Sequence, residues 1–558
     1  MLKQLRLLAA LTLAVQLAGC ASLDPSQSSA PVSVRILAIN DFHGNLHPPG
    51  GGIRIRDPRD AAKTMLVPAG GAEYLATAVK ELRRGHENHV FVAAGDLIGA
   101  SPVLSALFYD EPTIEALSMM GLELSAVGNH EFDAGVTELL RKQNGGCHPV
   151  HGCKGASPFK GANFSYLAAS TWDTRTERTI FPAYRVKSFE GVPVAFIGLT
   201  LKGTPEIVTP TGVAGLRFDD EADTVNRLVP ELRAQGIEAI VVLIHEGGLP
   251  TGDYNECPGI SGPIVEIVRR LDKAVDMVIS GHTHRAYVCS IDGRLVTSGD
   301  KYGTIVSAID LQIDRHTRDV LTAKANNVIV RNDAYAKDQE QTDLIAAYGR
   351  LVEPLAQRVI GRIGDAFSRE TNAGGASSAG QLIADAQLAA TVAPEHGGAV
   401  IAFTNSPGVR TALQPEADGT VRYGQLFAMQ PFSNNLVTLT LSGEQIRQML
   451  EQQWRDDNSV GEFLQVSRGF EYRWVASQGK GRRVVPGSLR LNGKPLEPAT
   501  PYRVTVNSFL ASGGGGLRVL LQGSDRKTGM MDVEALEQYL AAHQGLTPSV
   551  LDRIERVY

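Results

Sequence analysis

The sequence predicts a two-domain α/β protein, and three observations carry that reading. A chain of 558 residues exceeds what one ordinary hydrophobic core organises, so two sizeable domains follow. Hydrophobic residues make up 43% and charged residues 20%, the balance of a globular chain rather than a disordered one. From Val32 to about Ile329, and again beyond residue 360, short β-rich runs alternate with helix-periodic stretches, the pattern of layered α/β packing.

In chain order, Val34–Ile39, Val90–Ala94, Ala239–Ile244 and Val275–Ile279 read as buried strands. Gly71–Leu82, Glu111–Met120 and Ile264–Leu271 read as helices. The Gly/Pro/basic segment 48–69 and the loop from Cys147 to Cys153 read as excursions from the core. A polar, helix-favouring stretch over Ala334–Ala356, ended by Pro354 and Gly361, predicts a linker helix over 335–360 between a first domain at 32–334 and a smaller α/β domain at 361–558. The second domain opens on strand-like Ile360–Phe367 and a helix over Ser377–Ala390, followed by Ala399–Thr404, Leu436–Leu441, Ser442–Trp454 and Tyr502–Phe509.

The N-terminus reads as a targeting segment. Lys3 and Arg6 precede Leu7–Leu17, an apolar run too short to span a bilayer as a structural helix. It closes in Leu17-Ala-Gly-Cys20, which resembles a bacterial lipobox and implies a signal peptide over 1–19, lipidation of Cys20 and a tether over 20–31. Ser22 beside the lipidated position resembles an outer-membrane sorting signal. The expectation is a monomer lipid-anchored to the bacterial outer membrane on the periplasmic side, with the cell surface or soluble periplasm as alternatives. A net charge of −6 gives no reason to expect a nucleic-acid polymer or an acidic membrane as partner. Four further cysteines, an even number, suit an oxidising compartment. The simplest pairing is Cys147 with Cys153 and Cys257 with Cys289, one of three connectivities; zinc held by Cys147, His148, His151 and Cys153 is the rival reading.

Chemistry-bearing residues come in short packets, mostly after the apolar runs: Asp41-Phe-His43, Asp96 after Gly95, Asn129-His-Glu, His245-Glu, and His282-Thr-His284. Carboxylates, imidazoles and an amide at strand ends can hold two divalent cations side by side. Any one packet is commonplace; in this order they are specific. His130 and Asp133 stand three apart, where a carboxylate can orient an imidazole.

These packets resemble the calcineurin-like metallophosphoesterases, and within them the secreted 5′-nucleotidase family. The resemblance implies a β-sandwich flanked by helices, with Asp41, His43, Asp96 and His284 on one metal and Asp96, Asn129, His245 and His282 on the other. It further implies that His130 and Asp133 are catalytic and that a hydroxide made acidic by both cations attacks phosphorus in line. Zinc and manganese suit the donors, and cobalt also fits. Many relatives place Gln or Asn where His284 stands.

For the second domain the resemblance implies a substrate-binding loop in Asn405-Ser-Pro-Gly-Val-Arg410 and two stacking rings, Phe432 and Phe509. Three departures bear on the substrate. Gly515 in Gly513-Gly-Gly-Gly516 stands where the family has a ribose-binding Asp; Phe367 stands where it has a phosphate-binding Arg, with Arg369 two residues on; and the run after Thr371-Asn372 is lengthened. The expected function is metal-dependent removal of the 5′-phosphate from nucleotides, with closure of the two domains around the substrate. Alternatives are a 2′,3′-cyclic nucleotide phosphodiesterase, a UDP-sugar hydrolase, a thiosulfohydrolase of shared architecture, or a non-catalytic nucleotide- or metal-binding lipoprotein.

Overall fold

In the computed structural model, which describes residues 30–155, 158–454 and 461–557, the first half of the chain forms two six-stranded sheets. Cys20 and the targeting segment lie outside the described residues. In the first sheet Val32–Ile39, His89–Ala93, Leu124–Ala126 and Ser165–Leu167 run parallel, and the antiparallel strands Ile305–Ile313 and Val320–Ile329 extend it past Val32–Ile39. In the second, Val192–Thr200, Ala239–His245, Met277–Ser280 and Arg294–Gly299 run parallel between the antiparallel strands Tyr184–Phe189 and Ala286–Ile291.

Side chains alternate between the faces of each strand. Val34, Ile36, Val90 and Val92 therefore meet Val194, Phe196, Val241 and Leu243 between the sheets. Leu37, Ile39, Phe91 and Ala93 turn outward onto the helices Ala72–Arg83 and Glu111–Met119. Ile240, Val242 and Ile244 do the same toward Glu221–Ala234 and Pro263–Arg270. Burial on both faces is why these strands read as unbroken apolar runs. The result is the helix-flanked β-sandwich implied by the family resemblance.

Several expectations are corrected. The segment 48–69 is not a mere excursion from the core: Ile53–Asp57 and Asp60–Val67 form a hairpin whose Ile53, Ile55 and Val67 pack with Ile305 and Tyr254. The alternation Ile-Arg-Ile-Arg at its start was the signal for a strand. The helix Gln339–Ala356 starts on Asp338, whose side chain accepts the Gln341 amide, and runs through Pro354 instead of ending there. Its buried Ile345, Tyr348 and Val352 join the outer core of the first domain. The expected strand over Ile360–Phe367 shortens to Val359–Arg362, and Phe367 is buried beside Ile363 and Leu382.

The smaller second domain is built on a five-stranded sheet in the order Leu464–Val466, Ile401–Asn405, Pro501–Asn507, Asn435–Ser442, Ser524–Met531. Ile401, Phe403, Leu439, Trp454 and Val504 are among its core residues, and the helix Ser378–Thr391 covers the sheet. Cys147 is bonded to Cys153 and Cys257 to Cys289, with Cα–Cα separations of 4.5 and 5.2 Å, so the sulfurs of the 147–153 loop are not zinc ligands. No helix among the described residues is long and apolar enough to cross a membrane.

Candidate active site

Every packet falls where a parallel strand ends. Asp41 and His43 follow Val32–Ile39, Asp96 follows His89–Ala93, and Asn129 and His130 follow Leu124–Ala126. His245 closes Ala239–His245, while His282 and His284 follow Met277–Ser280. Carboxyl ends of parallel strands share a direction, so loops from both sheets converge on one edge of the sandwich.

The convergence strains the backbone. Asp41, His43, Asp96, His282 and His284 all lie in the left-handed region, with φ between 46° and 69°. Such conformations cost roughly 1–3 kcal/mol each and concentrate at functional sites. Asp41 and His43 thus share a face because both kink the chain, not through the pleat of a strand end as the spacing suggested.

The side chains meet closely. His43 Nε2 lies 3.1 Å from His284 Nε2, 3.8 Å from Asp41 Oδ1 and 3.7 Å from Asp96 Oδ2. His284 Nε2 is 3.3 Å from Asp41 Oδ1. On the other side of Asp96, its Oδ2 is 3.0 Å from His245 Nε2, which in turn is 3.2 Å from Asn129 Oδ1. Asp41, His43 and His284 form one group with ligand atoms mutually within 4.8 Å, and Asp96, His245 and His282 form another. His43 Nδ1–H donates to the Gly99 carbonyl at 2.9 Å and His245 Nδ1–H to that of Ala94 at 2.8 Å, leaving each Nε2 for the cluster.

These residues fit divalent cations. Asp41 Oδ1 is buried with no hydrogen-bond partner, although a buried carboxylate oxygen demands one. Burial pushes the pKa of His43 and His284 well down, and burial together with His245 takes that of His282 to about 3, so these imidazoles are in the neutral, ligating form. Burial would raise the Asp96 carboxyl, but His245 and His130 override it and hold it ionised. His130 Nδ1–H donates to Asp133 Oδ2 at 2.7 Å. Burial opposes a charge on that ring, yet Asp133 and Asp96 prevail and its pKa is raised.

Sequence reasoning missed the groups that fix this geometry. Asn40 donates to Asp41 Oδ2 at 2.7 Å and to the Asp300 carbonyl at 2.8 Å, and accepts from the Gly299 amide at 2.7 Å. Glu131 accepts from the amides of Asp96, Leu97 and Gly128 at 3.0, 2.8 and 2.7 Å, tying two ligand loops together. Gly128 is required there, since a β-carbon would come within 2.2 Å of Asp96 Oδ1. Tyr302 stands edge-on to His43 and His284, with ring centroids 6.0 and 5.9 Å away. Only its place after a strand-like run, in Gly299-Asp-Lys-Tyr302, hints at this position.

From the second domain, Phe432 stacks on His130 and the Arg410 guanidinium lies 5.8 Å from the Phe432 ring centre. Arg410 is near enough to depress the pKa of His43 and His284, after burial. Arg369 has its own pKa lowered by burial and then by the charge of Arg410. Asn405 Oδ1 accepts from Asn507 at 3.0 Å, and Phe509 packs against Gly514. Gly515 has a φ of 67°, and its turn, Gly514–Gly516, abuts the first-domain helix Thr204–Ile207.

A β-sandwich with carboxylate, amide and imidazole donors at its strand ends is the architecture of the calcineurin-like phosphoesterase family. Residues 34–286 match the family described as calcineurin-like phosphoesterase, and residues 359–522 match the 5′-nucleotidase, C-terminal domain family. The chain belongs to the calcineurin-like phosphoesterases that carry a 5′-nucleotidase C-terminal domain. It is similar to endonuclease YhcR of Bacillus subtilis, 31% identical over 515 residues that cover 91% of this chain and 40% of that protein. It is also 31% identical to cell wall protein Lmo0130 of Listeria monocytogenes over 518 residues, 87% of this chain and 64% of that one. The chain thus spans less than two thirds of either relative. The crystal structure of a 5′-nucleotidase precursor from Thermus thermophilus superposes with a TM-score of 0.76 at 26% identity, covering 94% of this chain and 99% of that one.

Proposed function

We propose that this protein is a metal-dependent phosphohydrolase that removes the 5′-phosphate from nucleotides. The observation that carries this reading is the approach of Arg410 and Phe432, from the second domain, to His130 and the ligand cluster of the first. A guanidinium for phosphate and an aromatic face for a base thus stand beside the hydrolytic residues. Asp41, His43, Asp96 and His284 would hold one cation, and Asp96, Asn129, His245 and His282 a second. Bound there, zinc, manganese or cobalt supplies Lewis-acid activation of water and neutralises phosphoryl charge.

The chain's own residues do the rest. Asp133 holds the Nδ1–H of His130, turning Nε2 toward the substrate, where the ring in its charged form stabilises the phosphoryl oxygens and protonates the departing 5′-oxygen. Arg410 pairs with the phosphoryl group, and Phe432 and Phe509 offer faces that suit any flat base. Asn405 and Arg369 complete the loop-side contacts. One observation favours a broader range that includes deoxynucleotides, cyclic nucleotides and other phosphoesters: Gly515 offers no carboxylate for ribose hydroxyls. Phosphate release from AMP, dAMP, cyclic nucleotides and UDP-sugars, after chelation and with each metal restored, tests the proposal. Release that depends on added cation supports it; no release from any of these by metal-replete protein overturns it.

We place this activity in the periplasm, on a protein anchored through Cys20. The lipobox-like segment and the two disulfides support that setting. A Cys20→Ala variant should move from the membrane to the soluble fraction; retention with the membrane would remove the anchor from the account.

A further inference from the structure

Three cationic side chains stand around the ligand cluster, and only two belong to the substrate loops already described. Arg369 and Arg410 come from the second domain. Lys301 comes from the sandwich itself, on the turn after strand Arg294–Gly299. Its Nζ lies 5.1 Å from the Tyr302 ring centre, and that ring stands beside His43 and His284.

The turn that carries Lys301 is fixed in place. The Tyr302 amide donates to the Asp41 carbonyl at 2.7 Å, the Lys301 carbonyl accepts from the Thr304 amide at 3.0 Å and its hydroxyl at 2.7 Å, and the Asp300 carbonyl accepts from Asn40. The nearest carboxylate in sequence, Asp300, is turned to the Thr304 hydroxyl at 2.8 Å. Among the described residues, none of Lys301, Arg369 and Arg410 makes an ion pair. Cations without carboxylate partners are poised for an anionic ligand, because a dianion there gains charge-assisted hydrogen bonds without first breaking an existing pair.

We propose that Lys301 binds the phosphoryl group of the substrate from the sandwich side, opposite Arg410, with Tyr302 holding its ammonium beside the His43/His284 half of the site. This rests on the phosphohydrolase reading above and adds a phosphate-binding residue to it. Lys301 also makes one contribution to phosphate affinity independent of where the second domain stands, since it moves with the ligands themselves.

The test uses inorganic phosphate as the probe and the metal-replete full-length protein. Lys301→Met keeps an unbranched stem against Tyr302 and removes the charge, while Lys301→Arg restores it. Calorimetric phosphate binding should weaken about tenfold in Lys301→Met and stay within about twofold of the parent in Lys301→Arg, as expected for loss and return of one charge-assisted contact. KM for a nucleotide should rise in parallel with kcat moving much less, and cation content should be unchanged. Phosphate affinity unaltered in a metal-replete Lys301→Met protein would overturn the proposal, as would equal weakening in both variants, which would assign the effect to packing on Tyr302. A parent protein that binds phosphate but releases none from nucleotides would sink the functional reading while leaving this one standing. A metal-replete parent that binds no phosphate would sink the role of Lys301 outright.

Discussion

Phe432 of the second domain stacks on His130 of the first, with ring centroids 5.8 Å apart and planes within 20°. The residue expected to read the base therefore touches the residue expected to act on the phosphate, although 302 positions separate them in the chain. On the proposed reading, substrate recognition and chemistry meet at this contact, so its removal should separate them experimentally.

Phe432→Ala should raise KM for AMP roughly tenfold, since stacking of one base on an aromatic ring is worth about 1–3 kcal/mol. With p-nitrophenyl phosphate, which carries no nucleobase, the change should be smaller. Steady-state kinetics on the two substrates check this. Equal losses on both would mean that the ring serves His130 rather than the base.

His130→Ala should retain its cations and lose turnover by about 10²–10⁴, the range associated with removing a general acid or base. Elemental analysis beside kcat is the measurement. A metal-replete variant with unchanged kcat would exclude His130 from the reaction.

Glu131 joins the Asp96 loop to the Gly128 turn through three amide bonds. In Glu131→Gln one acceptor oxygen becomes an NH₂ group facing an amide donor, which should cost about 1–3 kcal/mol. Misplaced loops should also weaken cation retention by about 10–100-fold. Thermal unfolding and chelator competition would show both effects; wild-type behaviour in the two assays would deny Glu131 a positioning role.

Asp276 lies away from the cluster, at the start of the strand Met277–Ser280, and its pKa is pushed up to about 7 by burial, with Asp319 adding to the effect. Its unfolded value is near 3.8, so between about pH 4 and 7 the folded state holds the extra proton. Stability from this group is therefore fully present below about pH 4, falls as pH rises from there through 7, and levels off above it. Asp276→Asn keeps an acceptor for the Ile240 amide, which Asp276 Oδ2 receives at 2.8 Å, and removes the titration. The variant should gain in Tm relative to the parent between pH 5 and pH 8. A Tm difference that is flat with pH would show that Asp276 titrates normally.

By itself the amino-acid sequence determined the alternation of strands and helices, the types of the ligand residues and their placement after strands. Those properties are local: an apolar run, its period and the polar packet that ends it all lie within about a dozen residues. Thus Asp41, Asp96, His245 and His282 were legible as candidates one packet at a time, and the resemblance added their grouping. Tertiary structure decided what holds them. Asn40 bonds to the Asp300 carbonyl across 260 positions, and Glu131 bonds to the Asp96 amide across 35. It also made a hairpin of Ile53–Val67, within a segment read only as an excursion from the core, since the surface that buries its isoleucines comes from Tyr254 and Ile305. The left-handed backbone at five candidate ligands is likewise a product of packing: Asp and His tolerate that region better than most residues, but only the surrounding contacts hold all five there at once.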